Sequence, residues 1–421
     1  MAPSQASYAP NLEKFLKFLK GQSLETSVEA LISLLKRKQI KGSEGCATAT
    51  AHILLQVVAK SRWSDVDQLL DNVQKVGARL AQAAPRELVI GNIIRRVLGL
   101  IRDEATEDRN GNEFGTDSVS DIQSISTDHG PALPRLGTVP MRPPAVSTAS
   151  SFHISKSLFN LLSAADPADS TTTGSPTTPT FQGLTSSVHS LRSEVIDGIE
   201  EIMDEISQVA DQIASFAEVQ IHPGDYILVH RPSPTVERFL IRAAAKRLFT
   251  VLIASSTPPK GGSDAPYASL RKKLNSARVN TINVMSSGLV AYMPRVSKVI
   301  MGASAVLSNG AIISDGGSGL VARAAREFSK PVIVLCGVYK LCPEVTYDLE
   351  GAIELGDSSS YVSFADGPIV NGVEVENAVS EFVPPDLIDL YITNLGPHTR
   401  DHLDSIMADH YKPEDVDLTL Q

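Results

Sequence analysis

Residues 298–336 read KVIMGASAVLSNGAIISDGGSGLVARAAREFSKPVIVLC, and this stretch decides the fold class of the protein. Its apolar runs, KVIM, AVLS and PVIVLC, are separated by a glycine-rich loop and by a helical segment, LVARAAREF. Short runs that are apolar on both faces and spaced by helices are typical of strands in a buried parallel sheet. The runs DYILVH, FTVLIAS and TINVMSS extend the same alternation toward the N-terminus. We therefore predict a doubly wound α/β domain over residues 221–421.

The chain before this domain divides into three further segments. Residues 1–105 repeat apolar residues at steps of three and four, which predicts a helical N-terminal domain. Residues 106–185 are rich in Ser, Thr and Pro, and we predict a largely disordered insertion with a short apolar island at 154–162. In residues 186–220 an apolar stripe is flanked by acidic residues, which predicts one long amphipathic connecting helix.

Composition excludes several classes of function. The chain has 421 residues, too many for one core of ordinary size, and 48 acidic against 38 basic residues give a formal net charge of −10. That balance disfavours direct binding of nucleic acid. Three cysteines fit neither a disulfide framework nor a zinc site, so we predict reduced thiols and no metal. Neither a secretory signal nor a run of ~18 apolar residues is present, so we predict a cytosolic protein without membrane contact.

The glycine-rich loop raises the question of a phosphate site. Asp315, Gly316, Gly317, Ser318 and Gly319 follow a strand and open a helix whose backbone N–H groups could hold an anion. The loop lacks the Gly-Lys-Ser/Thr ending of a P-loop, and its one charged residue is an aspartate, which could cap the helix instead. A working anion site and a capped structural turn are both open, and the sequence favours the turn.

We interpret the other candidate residues as structural. The turn after the first strand, HRPSPTVERF, contains no glycine, and a backbone that approaches pyrophosphate closely needs glycine there, so we predict no dinucleotide cofactor. His230 at the end of that strand is interpreted as a hydrogen-bonded structural residue rather than an acid–base catalyst. Cys336 and Cys342 lie in an apolar run without a neighbouring base, which favours packing over nucleophilic chemistry.

These residues resemble a known family. The opening stretch, together with EFVPPDLIDLYITNLG at 381–396, resembles the alpha, beta and delta subunits of eukaryotic translation initiation factor 2B. The helical segment 85–104, the low-complexity insertion and the closing segment 395–415 favour one of these three subunit types. The family is similar in fold to ribose-1,5-bisphosphate isomerase and methylthioribose-1-phosphate isomerase. The resemblance thus implies a helical domain followed by a Rossmann-like domain.

The related isomerases indicate which positions of this chain correspond to catalytic and phosphate-binding residues. They use a cysteine after the first strand, an aspartate after an Asn-Gly pair and a lysine near the phosphate. The corresponding positions here are Arg231, Ala311 and Asp315. Losing a positioned acid or base typically lowers a rate by ~10² to 10⁴, so the resemblance implies no catalytic residues. The predicted vestigial sugar-phosphate pocket consists of His230, Arg231, Asn309, Gly310, Ala311, Asp315, Gly316, Gly317, Ser318 and Gly319.

The resemblance also implies a function. We expect a non-catalytic regulatory subunit of a decameric guanine-nucleotide exchange factor, with the alpha, gamma, delta and epsilon subunits of initiation factor 2B as partners. Initiation factor 2, chiefly its alpha subunit, is the expected substrate protein, and its phosphorylation is the signal sensed. No cofactor is expected. The alternatives are a sugar-phosphate isomerase with relocated groups, built on Asp315 and either Cys336 or Cys342, and a sensor that binds a nucleotide or sugar phosphate without chemistry.

Overall fold

The computed structural model describes residues 10–113, 182–255, 267–344, 353–358, 361–362, 367 and 372–418. The apolar island predicted at 154–162 lies outside these ranges, as does most of the predicted insertion. None of the helices in the described ranges combines the length and the apolar character that crossing a lipid bilayer requires.

Helices fill the first described range, as the apolar spacing predicts. They are α1 (Pro10–Phe18), α2 (Leu24–Lys36), α3 (Ser43–Lys60), α4 (Val66–Ala83) and α5 (Leu88–Glu113). Ser23 caps α2, since its side chain accepts a hydrogen bond from the backbone N–H of Thr26. Helix α5 continues past residue 105, where the predicted helical domain ends, so its last two turns belong to the segment predicted as insertion.

A long helix connects this bundle to the sheet. It is α6 (Gln182–Ser215), and the short α7 (Ala217–Gln220) follows it. The apolar stripe of α6 is buried against both the helical bundle and the sheet, which is why every third or fourth position is aliphatic. Arg192 on α6 lies over the ring of Trp63 at 4.9 Å, a cation–π contact that joins the helix to the bundle.

Twelve strands and five helices follow within the described ranges. The strands are β1 (Tyr226–His230), β2 (Thr250–Ser255), β3 (Asn280–Met285), β4 (Lys298–Gly302), β5 (Ala305–Leu307), β6 (Ile312–Asp315), β7 (Val332–Leu335), β8 (Leu341–Cys342), β9 (Glu354–Leu355), β10 (Ala378–Val383), β11 (Leu390–Thr393) and β12 (Gly396–His398). The helices are α8 (Pro234–Ala244), α9 (Ala268–Ser276), α10 (Leu289–Tyr292), α11 (Ser318–Glu327) and α12 (Leu403–His410).

Seven strands form the predicted sheet, in the order β12-β11-β7-β4-β1-β2-β3. All neighbours are parallel except β11 and β12. The chain builds outward from β1 to β3 and then returns to β4 on the other side of β1, so the sheet is doubly wound with its switch point between β1 and β4. The predicted helical domain followed by a Rossmann-like domain is confirmed.

A second, smaller sheet lies beside the first, in the order β8-β5-β6-β10-β9. The AVLS run supplies β5, which therefore leaves the parallel sheet to which its apolar character assigned it. Strand β6 pairs antiparallel with both β5 and β10. Periodicity identifies buried strands but not their partners. Strand β5 pairs with β6 and β8, and β6 pairs with β10, which lies more than 60 residues further along the chain.

Candidate functional site

A cleft opens at the switch point of the large sheet. Its volume is about 300 Å³, and it lies between the carboxyl end of β4 and the loop that joins α2 to α3. Polar and charged groups line it from both sides, namely Lys41, Ser43, Glu44, Ser233, Thr235, Arg238, Ser304, Ser314, Asp315, Tyr339 and Lys340. Doubly wound sheets bind ligands in the crevice at this position, so the cleft is the first place to look for a function.

Lys340 supplies a cation to the cleft. Its Nζ donates a hydrogen bond to the carbonyl oxygen of Ala303 at 3.0 Å. Burial lowers the pKa of Lys340, and the carboxylates of Glu44, Glu87 and Asp315 oppose this by favouring the charged ammonium. From the sequence we predicted that Asp315 places a negative charge where the isomerases have a lysine, and we did not identify Lys340. The available signal was a lysine within an otherwise apolar segment directly after a buried strand.

The first turn of α3 forms the opposite wall of the cleft. The residue before this helix is Gly42, with φ of 81°, and no side chain caps the helix. The N-terminal end of a helix carries a partial positive charge and unsatisfied N–H groups, so this wall favours an anionic or polar ligand. Ser43 ties the wall to the sheet by donating a hydrogen bond from Oγ to the carbonyl oxygen of Ser304 at 3.1 Å.

The glycine-rich loop is held by the protein itself. The N–H of Gly316 donates to the carbonyl oxygen of Val379 on β10 at 2.7 Å, and a Cβ at Gly316 would overlap the carbonyl oxygen of Ala378. The N–H of Gly319, in the first turn of α11, donates to the carboxylate of Glu381. Asp315 makes no cap, because α11 begins only at Ser318. Its exposed side chain lies at the cleft instead.

His230 contacts this loop from the end of β1. Its Nε2 lies 3.0 Å from the carbonyl oxygen of Gly316, and burial lowers the pKa of the imidazole. Gly317 has φ of 99°, and a Cβ there would stand 2.9 Å from His230 Nε2, so both backbone and packing require glycine. Arg231 follows with φ of 39°, in the left-handed region where a side chain is strained. The structure thus brings together the predicted residues from β1 and from the loop.

Asn309, Gly310 and Ala311 form the turn between β5 and β6. Asn309 Oδ1 accepts a hydrogen bond from the N–H of Ala311 at 2.9 Å, and the hydroxyl of Tyr391 donates to the carbonyl oxygen of Gly310. Ala311 is fully buried in an apolar cluster with Leu307 and Cys342. These contacts explain the three residues by packing, with no contact to His230 or to the glycine loop among them.

The thiols are unsuited to nucleophilic catalysis. Cys46, Cys336 and Cys342 are all free and buried. Burial raises the pKa of Cys336 to about 12 and that of Cys342 to about 11, so neither is a thiolate near neutral pH. Within the described part of the chain, no three His, Cys, Asp or Glu side chains are grouped so that they could hold a metal ion.

A family model covers most of this architecture. The model described as "Initiation factor 2 subunit family" matches residues 39–399, which include the α3 wall, the cleft, the glycine loop and both sheets. The chain belongs to the initiation factor 2 subunit family.

Individual relatives agree with this assignment. The chain is 36% identical over 398 residues to a Schizosaccharomyces pombe protein named translation initiation factor eIF2B subunit beta, covering 93% of this chain and 97% of the relative. It is 47% identical to eIF2B beta of Chaetomium thermophilum, whose crystal structure superposes with a TM-score of 0.66 and coverage of 98% and 99%. The same identity and TM-score hold for a chain of the tetrameric eIF2B-beta2-delta2 complex of that organism, with coverage of 96% and 100%. The resemblance predicted from sequence, whose details favour the beta subunit, is confirmed.

In this member of the initiation factor 2 subunit family, the switch-point cleft combines the half-buried Lys340 with a helix N-terminus, several hydroxyl groups and the carboxylates of Glu44 and Asp315. The glycine loop beside it has no free N–H at Gly316 or Gly319. This arrangement can bind a small polar or anionic group. It offers no thiolate, and His230 beside it is bonded through Nε2 to the loop backbone.

Proposed function

We propose that the chain is a non-catalytic regulatory subunit of eukaryotic initiation factor 2B. The observation that carries the proposal is the near full-length similarity to a chain of the tetrameric eIF2B-beta2-delta2 complex at 47% identity. On this proposal the alpha, gamma, delta and epsilon subunits are its partners in the cytosol. The chain contributes surface rather than chemistry, and neither membrane nor nucleic acid takes part.

The proposal extends to regulation. The assembled factor accelerates GDP release from initiation factor 2, and this chain helps to bind the alpha subunit of that factor so that phosphorylation controls the exchange. A net charge of −10 suits a protein that contacts other proteins rather than the phosphate backbone of nucleic acid.

The state of the ancestral site supports a non-catalytic role. Arg231 and Ala311 stand where the related isomerases place a cysteine and an aspartate, and Ala311 is packed in an apolar cluster. The candidate replacements, Cys336 and Cys342, are buried with raised pKa values. We therefore propose that the residues predicted as a sugar-phosphate pocket are vestigial.

Reconstitution tests the main proposal. The chain is expressed alone and with its delta-type partner, and its assembly is followed by native mass spectrometry and sedimentation. We expect a stable complex that enters the full assembly and raises the rate of fluorescent-GDP release from initiation factor 2. A stable monomer that ignores the other subunits, or an assembly whose exchange rate is the same without this chain, would contradict the proposal.

A ligand sensor is the second candidate, and the half-buried Lys340 facing the uncapped end of α3 favours it. Calorimetry with GMP, GTP and pentose phosphates tests it, with Lys340→Met as the matched variant. A sensor predicts heat of binding that disappears in the variant, whereas absence of heat at millimolar ligand excludes it. Conversion of a pentose phosphate that is lost in Cys336→Ala or Cys342→Ala would instead favour the isomerase.

A further inference from the structure

Residues 411–418 run along helix α5 in the opposite direction to it. We call this segment the α5 strap. Tyr411 anchors its beginning, where the phenol hydroxyl donates a 2.6 Å hydrogen bond to the carbonyl oxygen of Leu341 on β8. Its other end reaches Leu418, which packs against the core beside Gly91. The strap therefore touches both the α/β domain and the helical domain.

Charged pairs fasten the strap to α5. Arg102 binds Asp415 in a bidentate manner, donating from Nη2 to Oδ1 at 3.0 Å and from Nε to Oδ2 at 3.2 Å. The Asp415 side chain is only 4% exposed whereas that of Arg102 is 35% exposed, so the carboxylate is the buried half of the pair. The hydrogen bonds that Arg102 donates to the Asp415 carboxylate are the main reason that the pKa of Arg102 is raised. Lys412 adds an exposed pair with Asp103 at 2.8 Å.

Two glycines mark the face of α5 that the strap contacts. A Cβ at Gly91 would lie 3.5 Å from Leu418, and a Cβ at Gly99 would lie 3.6 Å from Lys412, both at ordinary van der Waals distance. The two glycines are eight residues apart, so they lie on nearly the same face of the helix. From Asp103 to Gly91 the contacts of the strap cover about three turns of α5.

Arg95 connects the strap to the cleft. Its side chain is 1% exposed, and its Nε donates to the carbonyl oxygen of Val416 on the strap at 3.1 Å. Its Nη2 donates to the carboxylate of Glu344, two residues after the end of β8. One turn earlier on α5, Asn92 donates from Nδ2 to the carbonyl oxygen of Tyr339 at 3.1 Å. Tyr339 and Glu344 bracket the segment that carries Lys340.

We propose that the α5 strap is a conformational latch that sets the position of the Lys340 segment, residues 338–344, through Arg95 and Asn92. An ion pair to a buried carboxylate has two discrete states, made or broken, because breaking it leaves the buried Asp415 charge without a partner. When Asp415 separates from Arg102, the strap is no longer held to α5. The contact of Arg95 with Glu344 then weakens, and residues 338–344, which carry Lys340 in the cleft wall, change position. This inference does not depend on the proposed function.

Hydrogen exchange on the full chain tests the latch, with Asp415→Asn as the main variant. The substitution keeps the shape of the side chain and removes its charge. We expect about tenfold faster exchange at the Arg95–Asp103 part of α5 and also at residues 338–344, with β1 to β3 unchanged. Glu414→Gln is the matched control, since Glu414 faces the same arginine at 3.4 Å but is 68% exposed, and exchange should stay as in the wild type.

The pattern of exchange decides the outcome. Faster exchange in α5 alone overturns the coupling to the cleft, and faster exchange across the whole sheet overturns a local latch in favour of general destabilisation. No change in either region overturns the proposal entirely. If Asp415→Asn does not fold, Arg102→Lys replaces it, because it keeps the charge and loses the two-pronged geometry. The same two regions should then respond more weakly, and no response counts against the latch.

Discussion

The carboxylate of Glu381 accepts a hydrogen bond from the backbone N–H of Gly319 across 62 residues of sequence. Gly319 lies in the first turn of α11, where a phosphate would be expected to bind after a glycine-rich loop. A carboxylate at this end of a helix satisfies both an orphan N–H and the helix dipole. The protein therefore fills the position with its own anion.

Removing this cap should destabilise the fold. We expect Glu381→Ala to lower the free energy of unfolding by about 1 kcal/mol, because α11 loses the acceptor at its N-terminal end. Glu381→Gln keeps an acceptor and loses the charge, so its free energy of unfolding should lie between those of Glu381→Ala and the wild type. Urea denaturation measures all three. Glu376→Ala, at an exposed position just before β10, is the control and should leave the free energy of unfolding unchanged. An equal loss of stability in this control would show that the cap of α11 is not the cause.

Gly316 should not tolerate a side chain. A Cβ at this position overlaps the carbonyl oxygen of Ala378, and a backbone atom cannot rotate away. We expect Gly316→Ala to lower the free energy of unfolding by about 1 to 3 kcal/mol. Gly288→Ala provides the comparison, since a Cβ at Gly288 meets open space and its φ is ordinary. Thermal unfolding of the two variants should separate them, and equal stability would mean that β10 does not hold the loop this closely.

Glu205 is expected to matter far more than its exposed neighbour on α6. It accepts from Arg96 at 2.6 Å and from Asn394 at 3.2 Å, and Asn394 in turn accepts from the N–H of Val338 at 2.9 Å. Glu205→Ala leaves the arginine partly buried without a counter-charge, which should lower the free energy of unfolding by about 3 kcal/mol. Glu201→Ala, on the exposed face, should change it by less than about 0.5 kcal/mol. Chemical denaturation of both variants is the check, and similar losses would refute the network.

Asp225 gives the fold a dependence on acid pH. Burial alone would raise the pKa of Asp225, but the N–H of His222 and the ammonium of Lys298, at 2.9 and 3.0 Å, hold it below its ordinary value. Because the folded pKa is the lower one, the carboxylate stabilises the protein above the unfolded value of ~3.9. That contribution is lost as the pH falls through the folded value.

The corresponding variant is Asp225→Asn. At neutral pH it should be about 1 to 2 kcal/mol less stable than the wild type, and the difference should shrink as the pH is lowered toward about 3. Denaturation curves over this range test the sign. Asp401→Asn removes an exposed carboxylate and should show no such convergence. A difference that grows in acid would contradict the assignment.

The three thiols should not react with thiol reagents in the native protein. Cys46, Cys336 and Cys342 are no more than 1% exposed, and burial raises the pKa of each. We expect no reaction with a disulfide reagent such as DTNB within minutes at about pH 8, and release of three equivalents after denaturation. Rapid modification of one native cysteine would revive a nucleophilic role for it.

Much of the candidate site could not be read from the sequence. The sequence identified the glycine loop, and the structure places it against His230, but Asp315 proved not to be the cap. Lys340 and Glu381 were missed because their roles depend on what faces them across the fold. A lysine in an apolar segment gives a weak signal, and a glutamate in a half-buried strand gives none.

The sequence alone determined the element types and the fold class, because the spacing of apolar residues reports locally which face of a helix or strand is buried. The runs around β1 to β4 and the stripe of α6 were sufficient for that. Only the tertiary structure decided that β5 joins a second sheet, that Glu381 occupies the end of α11 and that Asp415 holds Arg102. Those pairings join residues distant in the chain, and their energy depends on the distance between charges and on exclusion of water, which arise when the chain has folded.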